Sequence, residues 1–176
     1  MFGNNMLERM TETESILSRV PERYINLIKR TVAKKATNEE LEMFLYTASM
    51  YDLDPLMKEI IFFKAGNTPV MVVTRDGYLK TAMRDPQYDG LTAGVVRQGD
   101  KFRFNANEFS VEHEFGTKRG DILGAWAIAY HKARRPVVCF VDFKEYRKRN
   151  NDAWSNYPSA MIQKVAEVFA LRRQFN

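Results

Sequence analysis

The side chains that usually carry covalent chemistry are scarce in this sequence. Its only histidines are His113 and His131, and its only cysteine is Cys139. His113 falls in the apolar phase of an alternating stretch, where a packed, hydrogen-bonded imidazole is expected ahead of a general base. His131 stands beside Lys132 in a basic turn, placed to touch phosphate or nothing. Cys139 lies inside Val137-Val138-Cys139-Phe140-Val141, an apolar strand that makes an inert, packed thiol the expectation. Asp76, Asp85 and Asp89 could suggest a metal site, and a magnesium-dependent nuclease would draw on Asp76, Asp85 or Glu59. Each of the three aspartates adjoins glycine or proline, however, where turn and cap chemistry explains it. There is no CxxC or HExxH pair for zinc and no G-x-x-x-x-G-K-[ST] phosphate loop, which disfavours an ATP-driven reaction.

Cations and aromatic rings are plentiful by comparison. The chain carries 27 basic and 22 acidic residues, a net charge of +5. Residues 1–60 are net −2, residues 61–116 are neutral, and residues 117–176 hold 12 basic against 5 acidic side chains, net +7. An excess confined to the last third suggests a polyanionic partner; the plainer alternative is a solvated face. Lys144, Tyr146, Arg147, Lys148 and Arg149 form one cluster, followed by Trp154 and Tyr157, then by Lys164, Arg172 and Arg173. Lysine and arginine displace condensed counterions from a phosphate backbone. Aromatic rings stack on unpaired bases at about 1–3 kcal/mol each. Trp154 serves equally as a hydrophobic lid over the last helix, and Lys164 as a surface partner of Glu167 three residues on.

These groups must be held by a fold. With 176 residues, 45% hydrophobic and 28% charged, the chain can bury a core. It has no apolar run near the roughly 18 residues of a membrane span. Met1 to Met10 lack the basic start and apolar block of a signal peptide, and a lone cysteine fits a reducing cytoplasm. Residues 1–20 read as a flexible arm and 21–176 as a single core domain. Pro21 suits a first helical position, with Tyr24, Ile25, Ile28 and Val32 at helical spacing. Thr37 and Glu40 have capping-box spacing ahead of Leu41, Phe44, Leu45, Ala48 and Tyr51, and Asp54-Pro55 is the expected stop.

Strands are expected over 59–64 and 70–74 around a Gly66-Asn67 turn, then a short helix from Asp76-Gly77 to about Met83. Leu91–Arg97 and Lys101–Phe104 flank Gly99-Asp100 as a hairpin. Phe109, Val111, His113 and Phe115 alternate with polar residues as a half-buried strand. Apolar segments over 122–130 and 137–142 follow. A basic helix is expected over 143–149, and a final helix from Pro158 with Met161, Ile162, Val165 and Phe169 on its apolar face. The order gives an α+β class, an antiparallel, hairpin-rich sheet flanked by helices.

The ordered strings go further. "FLYTASMYDLDPLMKEIIFFK" at 44–64 precedes "VVTRDGYLKTA" at 72–82, "KRGDILGAWAIAYHK" at 118–132 and "VDFKEY" at 141–146, and the close is "WSNYPSAMIQKVAEVFALRRQF" at 154–175. This series resembles the RecT/Redβ (Bet) family of phage single-strand annealing proteins over about residues 37–175. The resemblance implies ATP-independent binding of single-stranded DNA and its annealing to a complementary strand in phage-type recombination, without bond chemistry. It implies homo-oligomers, as rings or helical filaments, in the cytoplasm of a bacterial host. Single-stranded DNA and the annealed duplex are the implied partners, with a phage exonuclease and a host single-strand-binding protein beside them. No cofactor is required on this reading, and magnesium acts through the DNA. Lys144, Lys148, Lys164 and Arg172 fall on or near the family's basic DNA-binding positions. Arg147, Arg149 and Trp154 lie among them, and Lys118 and Arg119 sit in a turn nearby. Lys58, in the L-x-P-x-x-K-E-I string, either serves the groove or flanks the strand. Asp76-Gly77-Tyr78 reads as a turn element. The family's usual carboxy-terminal partner-binding domain is expected to be absent or truncated, since the sequence stops at Asn176.

The competing classes are a generic RNA- or DNA-binding module without annealing activity, the metal-dependent nuclease, and a structural oligomer whose basic helix packs on acidic neighbours.

Overall fold

Thr37 starts the best-defined helix. Its hydroxyl accepts from the Glu40 amide at 3.2 Å while the Glu40 carboxylate accepts from the Thr37 amide at 2.8 Å, a reciprocal capping box. A computed structural model describes residues 20–175; apart from Val20, the expected amino-terminal arm lies outside the described residues. The expected core comprises two compact units, one ending at Gly77 and one beginning at Tyr78.

In the first unit, α1 (Glu22–Thr31) follows Pro21, and α2 spans Asn38–Met50. The hairpin is β1 (Ile60–Ala65) with β2 (Thr68–Val73), in register from Ile60↔Val73 to Ala65↔Thr68. Ile28, Leu41, Phe44, Leu45, Ala48, Leu53, Ile60 and Phe62 form its core. The Asp54-Pro55 stop for α2 is corrected. The helix ends at Met50, where Asp52 takes φ 49° and the Leu53 amide reaches back to the Ala48 carbonyl at 2.8 Å. This left-handed cap folds Leu53 into the core and leaves Tyr51 65% exposed, off the apolar face. Asp54 instead caps the next turn, accepting from the Leu56 amide at 2.7 Å.

The helix α3 (Arg75–Arg84) begins in this unit. Gly77 lies inside its first turn, not in a separate turn element. A Cβ there would strike the Glu59 carbonyl, so the glycine serves close approach of two backbones.

In the second unit, β3 (Tyr88–Arg97), β6 (Ile122–His131) and β7 (Val137–Asp142) form an antiparallel sheet in the order β3-β6-β7. A separate hairpin joins β4 (Lys101–Asn105) to β5 (Ser110–Glu114). The expected pairing of β3 with β4 about Gly99-Asp100 is therefore wrong. Each strand has a partner elsewhere in the chain, and the turn is closed by the Asp100 carboxylate, which accepts from the Arg97 amide at 2.8 Å.

The helix α6 (Pro158–Phe175) covers one face of the larger sheet. Ala125, Ala127 and Ala129 on β6, with Cys139 and Val141 on β7, meet Ile162, Ala166 and Ala170, and the small residues let helix and sheet approach closely. On the other face, the rings of Phe102 and Phe140 lie 5.4 Å apart, and those of His113 and Trp126 lie 6.1 Å apart. The expected basic helix over 143–149 is a single turn, α4 (Phe143–Tyr146), because Arg147 turns extended (ψ 116°). A second short helix, α5 (Asp152–Asn156), leads to α6. The whole is an α+β fold of open antiparallel sheets and helices. Among the described residues no helix is long and apolar enough to cross a membrane.

Candidate nucleic-acid interface

The start of α4 is fixed by Asp142, whose carboxylate accepts from the Lys144 amide at 2.7 Å. That turn carries Lys144, and Arg147 caps its end, beside a depression of about 370 Å³ in the second unit. Its wall is completed by Arg97, Asp121, Ile122, Phe143 and the α5–α6 joint at Trp154, Ser155 and Pro158. Three cations thus face a single carboxylate. Lys144 and Arg147 are exposed, with no ion-pair partner among the described residues; the Arg147 guanidinium lies over the Phe143 ring at 5.8 Å.

Arg97 was not singled out by its sequence. The pairing of β3 with β6 brings it here, opposite Ile122. It donates to the Gly120 carbonyl at 3.1 Å and to the Ser159 hydroxyl at 2.9 Å, which fixes the guanidinium at the start of α6.

The remaining candidates scatter. Lys148 and Arg149 are exposed in the coil after α4. Lys164 and Arg172 occupy the exposed side of α6, eight residues and therefore about 12 Å apart along its axis. The expected partner of Lys164, Glu167, is instead 6% exposed and accepts from Gln163 at 2.8 Å. Lys58 is exposed in the first unit, at φ 59° in the turn before β1. That unit has a further basic hollow, lined by Lys34, Lys35, Phe63 and Lys64, where Lys64 is bridged to Glu40 at 3.0 Å.

Two candidates have structural duties. Trp154 is 5% exposed, tilted against Phe143 at a centroid distance of 6.2 Å and packed in the core, so it is the lid of the sequence alternatives. Tyr157, three residues on, is 69% exposed. Arg119 is held by Asp100, whose side chain is fully buried. The Asp100 carboxylate also accepts from the Gly116 amide at 3.0 Å and from His113 Nε2 at 3.1 Å. The Arg119 guanidinium, first among these donors, holds the Asp100 carboxyl far below the usual carboxylate range, against the opposing effect of burial. Arg119 also donates to the Val95 carbonyl at 2.9 Å and covers the Phe115 ring at 4.3 Å. Lys118, its neighbour, stays exposed. Gly99, at φ 90°, leaves room for the Lys118 carbonyl against which a Cβ would collide.

The potential catalytic groups are equally engaged. The Trp126 indole donates to His113 Nδ1 at 3.0 Å, and the other ring nitrogen lies 3.1 Å from Asp100, so both nitrogens of His113 are engaged. His131 is not an open basic-turn residue: its side chain is 5% exposed, stacks on Phe175 and accepts from the Ala133 amide at 3.0 Å. Cys139 is buried and donates to the Ala166 carbonyl at 3.0 Å. Asp85 caps Gln87, Asp76 pairs with Arg75, and Glu59 accepts from the Asp54 amide. Among the described residues no group of three or more His, Cys, Asp or Glu side chains could hold a metal ion.

A family model described as the RecT family matches residues 18–176, nearly the whole chain. No curated protein matches it in sequence.

Proposed function

The chain belongs to the RecT family of DNA-binding, single-strand annealing proteins of phage-type recombination, and from that premise we propose that it pairs complementary strands without ATP, through the basic depression beside α4. The observation that carries this reading is the pair of exposed cations, Lys144 and Arg147, that line a depression together with the anchored guanidinium of Arg97. Two strands brought together repel through their phosphates. Cations that replace condensed counterions on one strand reduce that repulsion and leave base edges free. Base pairing then selects the partner, and stacking of about 1.4 kcal/mol per step rewards a correct run. No bond is made or broken, so the scheme requires no catalytic side chain. Lys148, Lys164 and Arg172, exposed elsewhere on the second unit, serve as separate phosphate contacts on this reading, and oligomerisation multiplies modest contacts through effective concentration. The strand is taken as the ligand on each subunit, with an exonuclease and a host single-strand-binding protein as further partners.

The test is the annealing rate of two complementary oligonucleotides with the purified protein and no nucleotide. Acceleration over the protein-free rate is the expected result. Binding of either oligonucleotide without acceleration would leave a simple binding module and overturn annealing.

A further inference from the structure

Tyr157 is an exposed aromatic beside the depression, next in the chain to lining residues without being part of the wall itself. It stands between Ser155 and Pro158, both of which line the wall, while Trp154 is buried beneath. Its backbone is fixed on both sides: its amide donates to the Ala153 carbonyl at 2.9 Å, and its carbonyl accepts from the Met161 amide at 3.0 Å. The ring is 69% exposed, takes part in no ring contact or hydrogen bond among the described residues, and is flanked by a proline that restricts the chain. A large apolar ring held in water on a rigid joint is a preformed platform, and ordering it costs little.

We propose that Tyr157 is the base-stacking residue of this site, taking an unpaired nucleobase of a single strand while Lys144 and Arg147 take the adjoining phosphates. The inference rests on the depression being the strand-binding site. Its specific content is selectivity: only an unpaired base offers its face to a side chain, so Tyr157 distinguishes single strand from duplex where the cations do not. Every base has such a face, so the contact is indifferent to sequence, as a general annealing surface must be.

The experiment measures affinity for an oligothymidylate and for a blunt duplex over a series of salt concentrations, with wild type, Tyr157→Ala and Tyr157→Phe. Each protein's assembly without DNA is recorded by electron microscopy. Tyr157→Ala is expected to weaken single-strand binding about 5- to 150-fold at every salt concentration, since a stack carries no counterion release and leaves the slope unchanged. Duplex affinity should stay within about twofold, and Tyr157→Phe should restore the single-strand value. Unchanged single-strand affinity in Tyr157→Ala, or no recovery in Tyr157→Phe, overturns the stacking role. So does an altered assembly of the DNA-free variant, which would make Tyr157 a contact between copies. Failure of wild type to bind the oligothymidylate defeats the parent reading instead.

Discussion

Asp100 and Arg119 face each other as a fork: Arg119 Nε lies 2.7 Å from one carboxylate oxygen and its terminal nitrogen 2.8 Å from the other. Two parallel charge-assisted bonds on a fully buried carboxylate commit that arginine to the fold. Asp100 in turn draws together the end of β3, the strand β5 through His113, and the loop at Gly116. Its carboxyl is held far below the ordinary value, so its stabilising effect is complete above the unfolded value of about 3.9 and fades as the pH falls below it. Asp100→Asn should therefore melt below wild type by a full margin between pH 5 and 7, and the margin should narrow under acid conditions. Thermal melts from pH 2.5 to 7 check this; a margin constant across the range would contradict it.

The cations divide into free and committed. Replacing both Lys144 and Arg147 by alanine should lower single-strand affinity and make the log–log salt dependence shallower by about 1.4, the value for two phosphate contacts on a single strand. Arg119→Ala should instead lower thermal stability and leave the slope of the folded fraction unchanged. Equal slopes for wild type and the Lys144/Arg147 double variant would remove those residues from the interface.

Trp154 belongs to the core. Trp154→Ala should cost about 3–5 kcal/mol of folding stability, the usual range for deleting a buried aromatic side chain. Urea unfolding measures it. A loss below 1 kcal/mol with weakened DNA binding would show a surface role.

Cys139 should resist modification. Burial, the leading cause, pushes its thiol up from the ordinary value, and its hydrogen atom is directed at the Ala166 carbonyl. The native protein should react with iodoacetamide at pH 8 far more slowly than the urea-unfolded chain. Matching rates would show that α6 opens readily from the sheet.

Local signals in the sequence translated faithfully into structure. The Thr37–Glu40 box, the Gly66-Asn67 hairpin, the alternation from Val111 to Glu114 and the helix after Pro158 all depend on residues a few positions apart; Phe109, at φ 53°, and Phe115, 71% exposed, fall outside the expected half-buried strand. What failed was non-local. Gly99-Asp100 looks like a hairpin turn until β3 takes β6 as its partner, a choice made by side chains some thirty residues away. The basic third of the chain was visible as composition. Composition does not tell Arg119, pinned by a buried carboxylate, from Arg147, which is free of ion pairing among the described residues. Nor does it separate the inward Trp154 from the outward Tyr157, three residues apart. Arg97 carried no local signal at all, because its place at the depression is a product of strand register.

Arg97 clasps the Gly120 carbonyl with one nitrogen and the Ser159 hydroxyl with another. Sheet edge, loop and the first turn of α6 are thereby riveted at one point. The wall of the depression therefore has one anchor common to sheet, loop and helix, and Arg97→Ala removes both ties at once.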